Sequence, residues 1–204
     1  MIVILDYGSG NPRSILKVFR KLDIPAEISA GAEVVAAADK LVLPGVGHFG
    51  TCMGQLEESG LGNVLADKVL NDTTPLLGIC VGMQMLTTGS EEADAPGLAW
   101  IPGRAIKFPL EVKGRSLRVP HVGWNAVRAS DDPLFRTIAD GERFYFTHSY
   151  HVVCEDDADV IGWTSYGYDF PSVIRRGNIY GLQFHPERSR LGGVALLKNF
   201  AEAA

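Results

Sequence analysis

Cysteine is scarce and unpatterned in this chain. There are three, Cys52, Cys80 and Cys154; the number is odd and none sits in a C-x-x-C spacing, which argues against both a disulfide framework and a zinc site. No metal is expected. A long apolar run is equally lacking: nothing approaches the ~20 residues a membrane-spanning helix needs. Met1-Ile-Val-Ile-Leu-Asp6 meets an acid before it can serve as the core of a secretion signal. There is no lysine- or arginine-rich stretch and the net charge is -5, so nucleic acid is not an expected partner. Internal repeats, low-complexity segments and a dividing linker are missing too. What is present is 204 residues of ordinary composition, 46% hydrophobic and 21% charged, enough to bury one core in a single domain, residues 1–204. The expected compartment is the cytoplasm, with no membrane association.

Short apolar runs alternate with helical patterns in the first half. Ile2–Leu5 reads as a buried strand, and Pro12 opens a helix whose Ile15, Val18, Phe19 and Leu22 share a face. Weaker or shorter strands are expected at Ala26–Ser29, Lys40–Leu43 and Leu76–Ile79, with helix from about Thr51 to Leu70. The second half is richer in strands: Ala105–Phe108, Ser116–Val119, Trp124–Arg128, Arg143–Thr147, Val160–Ser165, Ser172–Arg175 and Ile179–Phe184, then a helix over Gly193–Ala203. The pattern implies an α/β fold, a mostly parallel central sheet with helices on both faces and additional antiparallel strands in the second half. Reactive groups in such sheets gather at the carboxyl ends of strands.

Cys80 falls at one of those ends. In Gly78-Ile-Cys80-Val-Gly82 it occupies the nucleophile position of a G-x-nucleophile-x-G elbow, where only glycines let strand and helix approach across the sharp turn. A helix-like segment follows, whose N-terminus favours a thiolate. Far downstream, Gln183-Phe-His185-Pro-Glu187 brings a histidine to a second strand end with a carboxylate two residues on. Nucleophile, base and orienting acid are the three parts of an activated thiol. A free cysteine in an apolar run is usually only a small buried hydrophobe; the flanking glycines and the strand-end histidine tip the balance. Gly45-Val-Gly47-His-Phe-Gly50 matches the dinucleotide fingerprint G-x-G-x-x-G. However, it follows the third strand, Pro44 stiffens its entry, and no strand ending in an acid follows about twenty residues on to hold a ribose. Amide donation to an oxyanion is the better use of those glycines, and no cofactor is expected.

Taken with Asp6-Tyr-Gly-Ser-Gly-Asn11, Leu43-Pro-Gly-Val-Gly47, Val119-Pro-His-Val-Gly-Trp124-Asn125 and Thr147-His-Ser-Tyr150, these motifs resemble the class I (triad) glutamine amidotransferases over essentially the whole chain. Within them, they resemble the glutaminase subunits that supply a (β/α)8-barrel cyclase in histidine biosynthesis. The resemblance implies that Cys80 attacks the side-chain amide of L-glutamine, with His185 as base then acid and Glu187 orienting it. It implies an oxyanion held by the Val81 amide and one from Gly45, Val46 or Gly47, a glutamine pocket of Gln84, Glu92, His148, Ser149 and Tyr150, and a cyclase-facing surface including Asn11, Pro120, Trp124 and Arg188. The two glycines about Val46 also permit a peptide flip, implying a lone subunit that hydrolyses glutamine poorly until its partner binds. Three other readings stay open at this point: a paralogue serving a different cyclase-like partner, a catalytically silent binding module, and a cysteine peptidase or elbow hydrolase of another fold.

Overall fold

The computed structural model describes residues 1–202. In chain order the elements are β1 (Ile2–Leu5), α1 (Pro12–Lys21), β2 (Ala26–Ser29), α2 (Ala32–Ala36), β3 (Lys40–Gly45), α3 (Phe49–Glu58), α4 (Gly62–Ala66), β4 (Leu76–Cys80) and α5 (Val81–Met85). There follow β5 (Gly89–Ser90), β6 (Ala93–Pro96), β7 (Gly103–Lys107), β8 (Glu111–Val112), β9 (Arg115–Ser116), β10 (His121–Ala126), β11 (Arg128–Ala129) and β12 (Arg143–His148). The chain closes with β13 (Tyr150–Cys154), β14 (Val160–Tyr166), β15 (Tyr168–Arg176), β16 (Ile179–Leu182) and α6 (Arg190–Glu202).

Eight strands form the main sheet in the order β11-β14-β15-β16-β4-β3-β1-β2. Pairings from β2 to β16 are parallel, and those among β16, β15, β14 and β11 are antiparallel. The sequence explains the division. Strands β1, β3 and β4 are buried at every position, as parallel strands covered on both faces must be. Helix α1 supplies part of the cover through Ile15, Leu16, Val18 and Phe19, with Asn11 capping its start by accepting from the Ser14 amide at 3.4 Å. Lys40 at the start of β3 donates its buried ammonium to the carbonyls of Phe200 and Ala201 near the end of α6, at 2.9 and 2.7 Å, the end of a helix that welcomes positive charge. A smaller sheet, β13-β7-β5-β6, and the ribbon β10-β12 stand beside the main one. Among the described residues no helix is long and apolar enough to cross a membrane.

Several expected elements differ. The helix read over Thr51–Leu70 breaks at Gly60, whose φ is 71°, and resumes as α4 and a π-turn over Asp67–Asn71. Of Ser116–Val119, only Ser116 is in a strand: β8 and β9 form a tight hairpin about Lys113-Gly114, both at positive φ, and its last cross-strand bond is from the Leu117 amide to the Leu110 carbonyl at 2.8 Å. The run Trp124–Arg128 spans two strands, because the chain leaves β12 at Val127 and takes up β14 as partner. Strand β16 stops at Leu182, short of Phe184. The last helix begins at Arg190 instead of Gly193, and its expected end at Ala203 lies outside the described residues. Strands β5, β6, β8 and β13 and helix α2 had no expectation; their short or polar-mixed segments carry too little periodicity to announce themselves.

Candidate active site

The β4–α5 turn is folded as an elbow. Cys80 has φ 56° and ψ -111°, a conformation that non-glycine residues hold only when the surroundings force it. The surroundings here are backbone. A Cβ on Gly78 would lie 2.7 Å from the Gly82 carbonyl oxygen, and one on Gly82 would lie 2.1 Å from that of Leu43, so neither position admits a side chain. The elbow points Cys80 into a cavity of about 390 Å³, lined also by Val46, Gly47, Val81, Gln84, Glu92, Pro120, Thr147, His148, Ser149, Tyr150 and His185. That volume falls within the range of small-molecule sites.

His185 lies beside Cys80 and Glu187 against His185, by a route other than the expected strand end. The chain has left β16 by Leu182, the His185 amide donates to the Tyr145 carbonyl at 2.9 Å, and Pro186–Arg188 makes a 3-10 turn. That turn folds Glu187 back so that Oε1 meets His185 Nδ1 at 2.9 Å. The other imidazole nitrogen is left for Cys80, whose side chain is near enough to raise the His185 pKa. Glu187 Oε2 is buried without a protein partner among the described residues, so its charge is directed at the histidine. Burial by itself depresses the His185 pKa, but the hydrogen bonds and charges of Cys80 and Glu187 more than offset it and push it up to about 10.

This shift has a consequence for stability. A folded pKa above the ordinary 6.5 means that the native state binds the proton more tightly, so the stabilisation is fully present below about pH 6.5 and is lost as pH rises through about 10. The melting temperature of the wild type relative to His185→Ala should therefore narrow steadily between pH 6.5 and 10. A difference that stays constant over that window would contradict the shift.

The remaining expected residues divide. Val81 opens α5 and its amide is among the unpaired donors of a helix start. Val46 and Gly47 line the cavity, with Gly47 at φ 93°. Gly45 does not: it is the last residue of β3, paired with Cys80, and a Cβ there would come 2.4 Å from the Gly82 amide nitrogen. Its requirement is close packing under the elbow. The Val46 carbonyl accepts from Ser9 Oγ at 3.1 Å and Cys52 Sγ at 3.4 Å, and across a trans peptide the Gly47 N–H points the opposite way. Gln84 is buried, and its Nε2 donates to the Tyr150 carbonyl at 3.1 Å and to Gln183 Oε1 at 3.2 Å. Glu92 is half-buried and accepts from the Phe49 amide at 2.7 Å while facing the cavity. His148, Ser149 and Tyr150 form the opposite wall. Of the surface candidates, Pro120 is exposed at the cavity rim, and Arg188 is exposed with its guanidinium 4.3 Å over the Tyr145 ring. Asn11 is exposed, and Trp124 is only half-buried, covered by Arg190 at 4.8 Å. Gln183 was not singled out in the sequence, yet its amide links Gln84 to Cys80, with Nε2 3.9 Å from the sulfur. Its place directly before Phe-His185-Pro-Glu187 was the available signal.

An elbow cysteine, a carboxylate-held histidine and a small polar cavity equip the site for acyl transfer from an amide. The family model for class I glutamine amidotransferases matches residues 3–204, and the chain belongs to that family. Solved structures share its fold at low identity. One glutamine amidotransferase has TM-score 0.74 and 17% identity, covering 99% of this chain and 98% of that one. Another, from Thermotoga maritima, has TM-score 0.63 and 20% identity, covering 99% and 80%. Among curated relatives, imidazole glycerol phosphate synthase subunit HisH of Leptospira borgpetersenii is 45% identical over 98% of this chain and 99% of its own length. The protein of the same name from Syntrophotalea carbinolica is 45% identical over 99% and 100%.

Proposed function

We propose that this chain is the glutaminase subunit of an imidazole glycerol phosphate synthase, a single class I domain over residues 1–204 that works in the cytoplasm. It hydrolyses L-glutamine to glutamate and ammonia and passes the ammonia to a (β/α)8-barrel cyclase, with which it forms a heterodimer. The cyclase makes imidazole glycerol phosphate and aminoimidazole carboxamide ribotide in histidine biosynthesis. The observation that carries the reading is Cys80 and His185 on the wall of a cavity of amino-acid size, with Glu187 held behind His185, in a chain that matches HisH subunits from end to end.

Cys80 Sγ adds to the side-chain amide carbon of glutamine with its proton already held on His185, as the raised pKa of that imidazole requires. The developing oxyanion takes hydrogen bonds from the Val81 amide and from the Val46–Gly47 segment. Collapse of the tetrahedral adduct breaks the C–N bond, and His185 returns the proton to the departing nitrogen, leaving ammonia and a γ-glutamyl thioester. Water then adds to the thioester, its proton going to His185 and back to the sulfur, and glutamate is released. Glu187 holds the imidazole by its Nδ1 throughout. Gln84, Glu92, His148, Ser149 and Tyr150 hold the amino-acid end of glutamine, Glu92 taking the α-ammonium. Asn11, Pro120, Trp124 and Arg188 face the cyclase.

Mixing tests the reading. Glutamate release by the lone chain should be slow, because the Pro44–Gly47 loop can turn a carbonyl where the oxyanion needs a donor, and one lost donor costs roughly 10²- to 10³-fold. Adding the cyclase with its nucleotide ligand should raise turnover at least about tenfold, a population shift of the loop worth a few kcal/mol, with little change in affinity for glutamine. Full activity in the isolated chain would end this account of the switch, and no glutamate release in either state would end the proposed function.

A further inference from the structure

Behind the glutamine wall two buried histidines form a hydrogen-bonded chain whose direction the structure fixes. His148 Nδ1 lies 2.8 Å from the Tyr150 carbonyl. A carbonyl only accepts, so this nitrogen carries a hydrogen. Both rings are neutral, since burial pulls the pKa of His148 well down and that of His121 down to about 4. His148 Nε2 is therefore bare, and at 3.0 Å it must accept from His121 Nδ1. His121 Nε2 is bare in turn and faces the Asn125 amide nitrogen at 3.4 Å. The Asn125 amide cannot be reversed, because its Oδ1 accepts from the Ala126 amide at 2.9 Å and its Nδ2 donates to the Ser165 carbonyl at 2.8 Å. Donation runs one way: Asn125 to His121 to His148 to the Tyr150 carbonyl.

That carbonyl is shared. It also accepts from Gln84 Nε2, whose other hydrogen goes to Gln183 Oε1, so Oε1 is the end of the Gln84 amide left for the cavity. The His121 ring is gripped between Tyr166, with centroids 4.0 Å apart, and Phe146 at 4.9 Å, both nearly parallel to it. It also sits directly across the β10–β12 ladder from His148. We propose that His121 is a positioning residue for glutamine recognition. By donating to Nε2 it satisfies the one acceptor of the buried His148 ring and holds that ring against the Tyr150 carbonyl, the same carbonyl that anchors the Gln84 amide by its Nε2 and leaves Oε1 for the substrate. The inference rests on the cavity being the glutamine site.

Two measurements on the complex with its cyclase test it. In the wild type, ¹⁵N spectra of the imidazoles should show both His121 and His148 as neutral Nδ1–H tautomers, the minority form of a free histidine side chain; an Nε2–H form of either ring overturns the chain of donation. Against this, two variants separate donation from packing. His121→Phe keeps the aromatic slab and removes the donor, whereas His121→Asn places an amide N–H close to where Nδ1 sits. His121→Phe should raise KM for glutamine about tenfold, the cost of a lost buried hydrogen bond, with kcat within about threefold of wild type. His121→Asn should stay within about threefold in both. Equal KM for the two variants, or a fall confined to kcat, refutes the assignment. A wild-type complex that leaves glutamine untouched would sink the glutaminase reading and this assignment together, whereas an active wild type indifferent to His121→Phe sinks this one alone.

Discussion

Cys80→Ala should remove glutamine hydrolysis, by a factor on the order of 10⁵ to 10⁶, the loss seen when a covalent nucleophile is taken from a comparable triad. No other thiol can substitute. Cys52 is fully buried and its pKa is raised, first by burial. Cys154 is partly exposed, but burial and the neighbouring Asp159, Asp157 and Asp156 push its pKa up to about 12, so it stays a thiol at any assay pH. A glutamine analogue bearing an electrophile should accordingly label Cys80 alone, and peptide mapping by mass spectrometry reads this directly. The fold should survive the change. Alanine removes one atom from the edge of a cavity, not from a closed core, and the strained φ at Cys80 is imposed by Gly78 and Gly82 packing on backbone. Partner binding should survive too, because the surface candidates lie outside the elbow. Label on Cys52 or Cys154, or glutamate release persisting in Cys80→Ala, would dismiss the triad.

The parts of this molecule legible in the sequence are those where one physical requirement acts on neighbouring residues. Strands β1, β3 and β4 are buried on both faces, so Ile2–Leu5, Lys40–Leu43 and Leu76–Ile79 are nearly unbroken apolar runs. The elbow is legible in part for the same reason: Gly78 answers a crowding from the Gly82 carbonyl four residues on, whereas Gly82 itself answers the Leu43 carbonyl of β3. Where the requirement comes from a distant segment, the sequence is silent. Tyr150–Cys154 is a strand because β7 offers it a ladder. The sequence puts His185 at a strand end with Glu187 two residues on; the structure brings the two together instead through a 3-10 turn after β16 has ended at Leu182. His121 is the extreme case. Its value depends on a partner 27 residues away and on two rings that grip it, and Pro-His-Val-Gly-Trp-Asn suggests none of that.

His185→Ala and Glu187→Gln should differ in size and in kind. His185→Ala deletes the group that takes the proton from Cys80 and returns it to the leaving nitrogen, so kcat should fall by about 10²- to 10⁴-fold, the range for a lost general acid–base. Glu187→Gln is milder because the amide oxygen can still accept from His185 Nδ1 at the position now held by Oε1, 2.9 Å away, which preserves ring orientation and tautomer. What it removes is the negative charge. Glu187 is one of the two groups that raise the His185 pKa to about 10 against the opposing effect of burial, so its neutralisation must lower that pKa. A weaker hold on the imidazolium means that the proton destined for the leaving nitrogen is less well held, and kcat should fall by about 10- to 10²-fold, at or below the lower end of the range for general acid–base catalysis. The alkaline limb of kcat/KM should move to lower pH in Glu187→Gln, since the limb reports the free enzyme. Stopped assays of glutamate release from pH 6 to 10.5 measure both effects. If Glu187→Gln proved the more damaging change, or left the alkaline limb in place, Glu187 would be acting on something other than His185.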